Sequence, residues 1–120
     1  MKTRKDLDVW KNGKELVVSV YKATRKYSND ELYGLVSQIR RAAVSIPSNI
    51  AEGAGRNHDR EYIQFLYVAL GSLAELETQL LISQRLDFIS EQENDDLNSL
   101  IKMIRSQISG LIKYLKEDKK

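Results

Sequence analysis

Cysteine is absent from this 120-residue chain, which excludes disulfides, zinc–thiolate centres and thiol nucleophiles. Histidine occurs once, at His58, so histidine-based catalysis or metal binding has almost nothing to build on. One proline and six glycines supply too few turns for an all-β domain. Charge of one sign is also missing. Nineteen basic residues stand against 17 acidic ones, a net of +2, far below a dedicated DNA-binding domain. No stretch reaches the roughly 20 apolar residues of a membrane span. Met1-Lys2-Thr3-Arg4-Lys5-Asp6 leads into a charged segment, with no apolar run of signal type. The expectation is a cytoplasmic protein without a membrane partner. What remains, 42% hydrophobic and 30% charged, suits one globular domain over residues 1–120.

Apolar residues recur at helical spacing in four segments. In the first, from about Leu7 to Tyr27, the spacing places Trp10, Gly13, Val17, Val20, Tyr21 and Thr24 on the core side. Ser28-Asn29-Asp30-Glu31 reads as a capping box for the second segment. Its stripe is Leu32, Leu35, Val36, Ile39, Ala42, Ala43, Ile46 and Ile50. Pro47 removes one helical hydrogen bond and predicts a kink, and Gly53 predicts a left-handed C-cap. The third segment, Asp59 to Arg85, has a main stripe of Tyr62, Phe65, Leu66, Ala69, Leu73, Leu76 and Leu80. Beside it runs a second apolar strip, Ile63, Tyr67, Leu70, Ala74 and Leu81, with Gly71 next to it. A helix apolar around more than half its girth is central or buried against another chain. Ser90-Glu91-Gln92-Glu93 is a second capping box. It opens a segment with Leu97, Leu100, Ile101, Ile104, Ile108, Leu111, Ile112 and Leu115 on one face, and with Lys113, Lys116, Lys119 and Lys120 at its dipole-negative end. Short connections make neighbours antiparallel. The predicted fold is all-α, an up-down-up-down four-helix bundle whose second helix bends at Pro47.

Three stretches then point to a family: Leu7-Asp8-Val9-Trp10, the run from Gln38 to Arg56 containing Asn49-Ile50-Ala51-Glu52-Gly53-Ala54-Gly55-Arg56, and Phe65 to Leu80 with its Ala69-Leu70-Gly71-Ser72-Leu73 centre. Together they resemble the bacterial ribosomal RNA intervening-sequence proteins. The resemblance implies an antiparallel four-helix bundle assembling as a ring of five. Some relatives are encoded within insertions of large-subunit ribosomal RNA genes. A distant relative, the accessory protein of diversity-generating retroelements, forms a basic pentamer that engages nucleic acid and a reverse transcriptase. Gly13 departs from the family, which often has Ala there.

Around the motif, Asn49, Glu52, Gly53 and Arg56 have mainly a structural or subunit-contact role to expect: Glu52 pairing with a nearby Arg, Asn49 satisfying backbone freed by Pro47, Gly53 and Gly55 turning the chain. Gly53-Ala54-Gly55 before a helix start offers a weak phosphate cradle without the Lys-Ser/Thr of a P-loop. His58 with Glu52 and Asp59 would be the seat of any metal-assisted hydrolase, though an exposed turn His is the simpler expectation. Glu77 lies at a stripe edge and needs a partner, for which Arg40 is the candidate.

Charge segregates along the predicted bundle. Asp30, Glu31, Asp87, Glu91, Glu93, Asp95 and Asp96 gather at one pole. Lys11, Lys14, Lys22, Arg40, Arg41, Lys102 and Arg105 form a basic waist, and Arg56 and Arg60 lie toward the other end. Repeated around an oligomer, such a band attracts phosphate backbones without reading sequence. No aromatic base-stacking cluster stands out in the sequence. The expected function is therefore a non-enzymatic, self-assembling scaffold, without cofactor, metal or small-molecule substrate, touching RNA or a ribonucleoprotein through those nine basic residues. Ile63, Tyr67, Leu70, Ala74 and Leu81 would form the subunit interface. A protein–protein adaptor without a nucleic-acid role is the alternative.

Overall fold

The structure, a computed structural model, describes residues 3–117. Four helices account for nearly all of them: α1, Arg4–Thr24; α2, Leu35–Ala54; α3, Asp59–Arg85; α4, Glu91–Glu117. A short 3-10 turn, Asn29–Glu31, precedes α2. Lys119 and Lys120, expected at the dipole-negative end of α4, lie outside the described residues, as do Met1 and Lys2.

Cross-helix contacts fix the antiparallel order. Thr24 of α1 meets Arg40 of α2, while Gly13 meets Pro47. Ser45 of α2 meets Ser72 of α3, and Gly53 meets Tyr62 and Phe65. Asn94 of α4 bonds Gln84 of α3, and Arg105 bonds Glu77. Lys26 after α1 pairs with Glu93, whereas Lys5 lies over Tyr114, so α4 closes the bundle against α1. Among the described residues each helix packs mainly on its two neighbours, and Tyr62 of α3 also reaches Asp6 of α1 across the diagonal. The result is a rod of 51 × 25 × 18 Å, its length set by the 27-residue α3 and α4 at ~1.5 Å rise per residue.

The core is the expected stack of aliphatic stripes, including Ile39, Ile46, Ile50, Leu66, Leu73, Leu76, Leu80, Ile101, Ile104 and Ile108. Several boundaries and one stripe differ from the sequence expectation. The stripe of α1 is shifted in part: Gly13, Val20 and Thr24 are buried as expected, but Val9 and Leu16 are fully buried where Trp10 and Val17 were expected, and Tyr21 is exposed. The helix starts earlier because Thr3 and Asp6 form its cap. Asp6 N–H donates to the Thr3 hydroxyl at 3.2 Å, and that hydroxyl donates to the Asp6 carboxylate at 2.9 Å. Ser28 makes no side-chain cap, so its predicted capping box does not form. Helix α2 starts at Leu35, and Leu32 is left outside on the surface. The Ser90–Glu93 box does form: the Ser90 N–H donates to Glu93 at 2.8 Å and the Glu93 N–H to Ser90 Oγ at 3.0 Å.

Helix α2 passes through Pro47 as one continuous helix, with the ring buried against Gly13. It runs past Gly53, which is not a left-handed cap. No glycine has a positive φ, and Gly55 caps the helix at φ −82. Helix α3 ends in a Schellman motif. The Phe88 N–H donates to the Ser83 carbonyl at 2.9 Å and the Asp87 N–H to Gln84 at 3.0 Å, with Asp87 in the left-handed region at φ 64. Phe88 then stacks on Tyr27 at 5.1 Å. Helix α3 is also more apolar than its interrupted pattern suggests. One 18-residue window averages hydropathy 1.3, enough by length and composition for a membrane span, and 39% of that window is buried inside the bundle.

Candidate nucleic-acid interface

The nine basic residues expected to meet nucleic acid do not share one surface. Lys11, Lys14 and Lys22 are exposed on α1, with the Lys14 ammonium 3.8 Å from the centre of the Trp10 ring. Lys102 is exposed on α4 and Arg60 on α3. Arg105 is engaged internally: its guanidinium pairs with Glu77 at 2.7 Å. This corrects the expected Arg40–Glu77 pair, because α3 turns its Glu77 edge toward α4 and its Ser72 edge toward α2. Arg56 pairs with Glu52 one turn away at 3.1 Å and lies 4.8 Å over Phe65.

Arg40 has a different role. Its Nε–H donates to the buried Thr24 hydroxyl at 3.0 Å, and its guanidinium lies 4.4 Å over Tyr21. Thr24 is itself held, donating to the Val20 carbonyl at 2.8 Å. The arginine plane is thereby fixed between α1 and α2. Together with Arg41, Ser37, Tyr33 and Val44 it lines a groove of about 500 Å³. The sequence reading missed this aromatic and basic combination because it assigned Tyr21 and Leu32 to the core stripes. The available signal was the i, i+4 spacing of Tyr33, Ser37 and Arg41.

The motif residues around Asn49 are occupied in packing α2 on α3. The Asn49 amide donates to the Ser45 carbonyl at 2.7 Å and to its hydroxyl at 2.9 Å, and that hydroxyl sits 2.8 Å from Ser72 Oγ. Asn49 thus serves the Ser45 carbonyl, not the Ala43 carbonyl that Pro47 leaves free. A Cβ at Gly53 would lie 2.8 Å from Phe65 Cβ and from Tyr62 Cδ1, so only glycine lets the helices approach this closely. The phosphate cradle expected at Gly53-Ala54-Gly55 does not exist. Gly53 and Ala54 are inside α2, and the N–H groups of Gly55 and Arg56 already donate to Ala51, Glu52 and Gly53 carbonyls. His58 is exposed, and among the described residues no three His, Asp or Glu side chains cluster as metal ligands.

The second strip of α3 divides. Ile63 and Leu70 lean on the core. Tyr67, Ala74 and Leu81 face outward, joined by Val68 and Ile82, which the sequence reading had not included. Gly71 adds open space on the same helix.

Two buried tyrosines and one glutamate carry perturbed acidities. Burial first, and the adjoining Asp6 carboxylate second, push the Tyr62 hydroxyl well above its ordinary range. Burial likewise raises Tyr27. The Lys26 ammonium, followed by the Ser90 backbone N–H, holds the Glu93 carboxyl below its usual range. All three lie at helix ends or in the core and serve the fold.

A family model described as 23S rRNA-intervening sequence protein matches residues 5–110. Among solved structures, the chain is similar to the crystal structure of a protein of unknown function from the S23 ribosomal protein family of Bacteroides thetaiotaomicron. The TM-score is 0.84 at 24% identity, covering 91% of this chain and 98% of that one. That likeness concerns the fold. None of the curated proteins compared is a match.

Proposed function

The chain belongs to the 23S rRNA-intervening sequence protein family, and from that membership we propose a non-enzymatic, self-assembling helical scaffold of the cytoplasm that engages RNA or a ribonucleoprotein through a basic surface of the oligomer. One observation supports it above the others. Lys11, Lys22, Arg41, Arg60 and Lys102 are exposed and make no ion pair among the described residues. They are cations left available to phosphate, and their contacts are of the kind that position a backbone without reading bases. Self-assembly is supported by the outward side of α3, where Tyr67, Val68, Leu81 and Ile82 are 44–52% exposed. Large apolar side chains left exposed along one helix suit a protein contact. The ring of five implied by the family resemblance would repeat the basic surface in each subunit.

A gel shift with structured RNA at increasing salt tests the RNA part. Binding should fall log-linearly with salt, with a slope of about −0.9 per phosphate neutralised in duplex regions. No shift at low salt by the intact oligomer would remove RNA from the proposal. The exposed α3 face would then favour the adaptor reading, in which the partners are proteins alone.

A further inference from the structure

We propose that the groove between α1 and α2 is a site for one unpaired nucleotide of an RNA strand, with the base stacked on Tyr33 and the adjoining phosphate held by Arg40 and Arg41. This deepens the RNA-engaging reading above and rests on it.

Tyr33 is 93% exposed, by far the most exposed large apolar side chain among the described residues. Among the described residues no ring, cation or hydrogen-bond partner occupies it there. Tyr21, by contrast, already carries Arg40 on its face. The two arginines differ usefully. Arg40 has its Nε committed to Thr24 and its plane set by Tyr21, so its guanidinium is held in place in the lining of the groove, with its terminal amino groups uncommitted among the described residues. Arg41 is exposed and unpaired among the described residues, and can swing to a phosphate. The lining contains both arginines and no carboxylate, with Leu32, Val36 and Val44 giving it an apolar wall and Ser37 a hydroxyl. Helix α2 contributes no acidic side chain in its first turn. A groove of about 500 Å³ falls within the ~300–1,000 Å³ of ligand-sized clefts.

That chemistry selects an unpaired nucleotide. The arginines supply charge for a phosphodiester, and guanidinium forks suit phosphate oxygens. A duplex has its base faces covered by neighbouring bases, so only an unstacked base can lie on Tyr33. A phosphorylated peptide would use the arginines and leave the tyrosine idle, so Tyr33 decides between them.

The test is fluorescence anisotropy of the intact protein with a labelled single-stranded oligoribonucleotide of about 12 residues and with a blunt-ended duplex of two paired strands. Tyr33→Ala should weaken single-strand binding roughly five- to 150-fold and leave duplex binding unchanged. Tyr33→Phe should bind as the parent does. Arg41→Gln should reduce the single-strand salt slope by about 0.7. Tyr114→Ala, a tyrosine on α4, should change nothing. Circular dichroism confirms that each variant folds, and Tyr33 is too exposed for its loss to disturb the core. If Tyr33→Ala and Arg41→Gln bind like the parent while Lys11→Gln/Lys22→Gln binds less, the groove is overturned and the basic-surface reading stands. If the parent binds no RNA at low salt, both fall. Direct binding of a labelled phosphopeptide by a protein that ignores the oligonucleotide would overturn RNA as the occupant.

Discussion

Replacing Gly53 by alanine adds one methyl group at the tightest point between α2 and α3. Two effects oppose each other. Alanine stabilises a helix interior over glycine by about 1 kcal/mol. Against this, the new Cβ would lie 2.8 Å from Phe65 Cβ and 2.8 Å from Tyr62 Cδ1. Phe65 Cβ is attached directly to the α3 backbone and cannot swing aside. Tyr62 is fully packed, with 1% of its surface exposed. Relief therefore requires the two helices to separate, and overpacking of that kind costs about 1–3 kcal/mol. The net expectation is a loss of up to about 2 kcal/mol, which leaves the variant about 1–3 kcal/mol below an unhindered Gly→Ala change. Gly110 is the reference, because its Cβ position has nothing within 4 Å. Gly110→Ala should gain about 1 kcal/mol. Gly13 falls between them, with Pro47 Cβ at 3.3 Å, and Gly13→Ala should be nearly neutral. Gly71 is equally open but belongs to the proposed subunit face, so it is a poorer standard. Urea unfolding followed by circular dichroism, at fixed protein concentration, reads all three. A Gly53→Ala variant as stable as Gly110→Ala would refute the close-approach explanation of the motif glycine.

The remaining predictions concern other parts of the bundle. Tyr62 titrates above its ordinary value, so its contribution to stability is complete below about pH 10 and is lost as pH rises toward the folded-state value; Tyr62→Phe should flatten that alkaline decline in thermal melts, and an unchanged decline would place the cause elsewhere. Glu93 is shifted the opposite way, so its contribution is present above the ordinary carboxylate range and disappears as pH falls through its lowered value; Ser90→Ala should cost ~1 kcal/mol by chemical denaturation, with Glu93→Gln removing part of the acid-side dependence. Asp87 holds φ 64 at a helix C-terminus, where both its Cβ and its charge are unfavourable; Asp87→Gly should stabilise by about 0.5–1 kcal/mol, and a destabilised variant would show that the carboxylate has a partner of consequence. Leu81 is 52% exposed on the outer side of α3; Leu81→Glu should reduce the assembled mass in light scattering while helical content stays constant, and a parent protein monomeric at micromolar concentration would refute the interface itself.

Legibility followed the strength of the periodic signal. Helix α3 was predicted from Asp59 to Arg85 and occurs there, because an uninterrupted stripe spans it between polar connectors. The Ser90–Glu93 box was legible because both residues are free to reach each other. The Ser28–Glu31 box has the same spacing, yet Gly34 intervenes before the helix and the chain takes a 3-10 turn instead. In α1 the stripe was misread because Trp10, Val17 and Tyr21 are apolar too. Leu16 and Val9 win the core position, and Tyr21 goes to the surface as a platform for Arg40. Partner choice was the least legible level. Glu77 meets Arg105 rather than Arg40 through the helix rotation about its axis, a quantity that sequence periodicity defines only to about one residue.

The residues of the Asn49–Arg56 motif and the residues that are free to act are different sets. Asn49 spends its amide on Ser45, Glu52 pairs with Arg56, and Gly53 admits Tyr62 and Phe65. Asn49 and Glu52 are spent on partners one turn away, and Gly53 gives room to α3, so these motif residues already have structural work. Charged and aromatic groups left with unused valence lie elsewhere: Tyr33 and Arg41 beside the α1–α2 groove, and Lys11, Lys22 and Lys102 on outer faces. A substitution in the motif should therefore act on folding first and on binding only through it. Asn49→Ala tests the separation. It removes two hydrogen bonds at about 1 kcal/mol each and should lower thermal stability, while the folded fraction keeps its RNA affinity. An Asn49→Ala protein with unaltered stability and lost binding would move the functional surface back onto the motif.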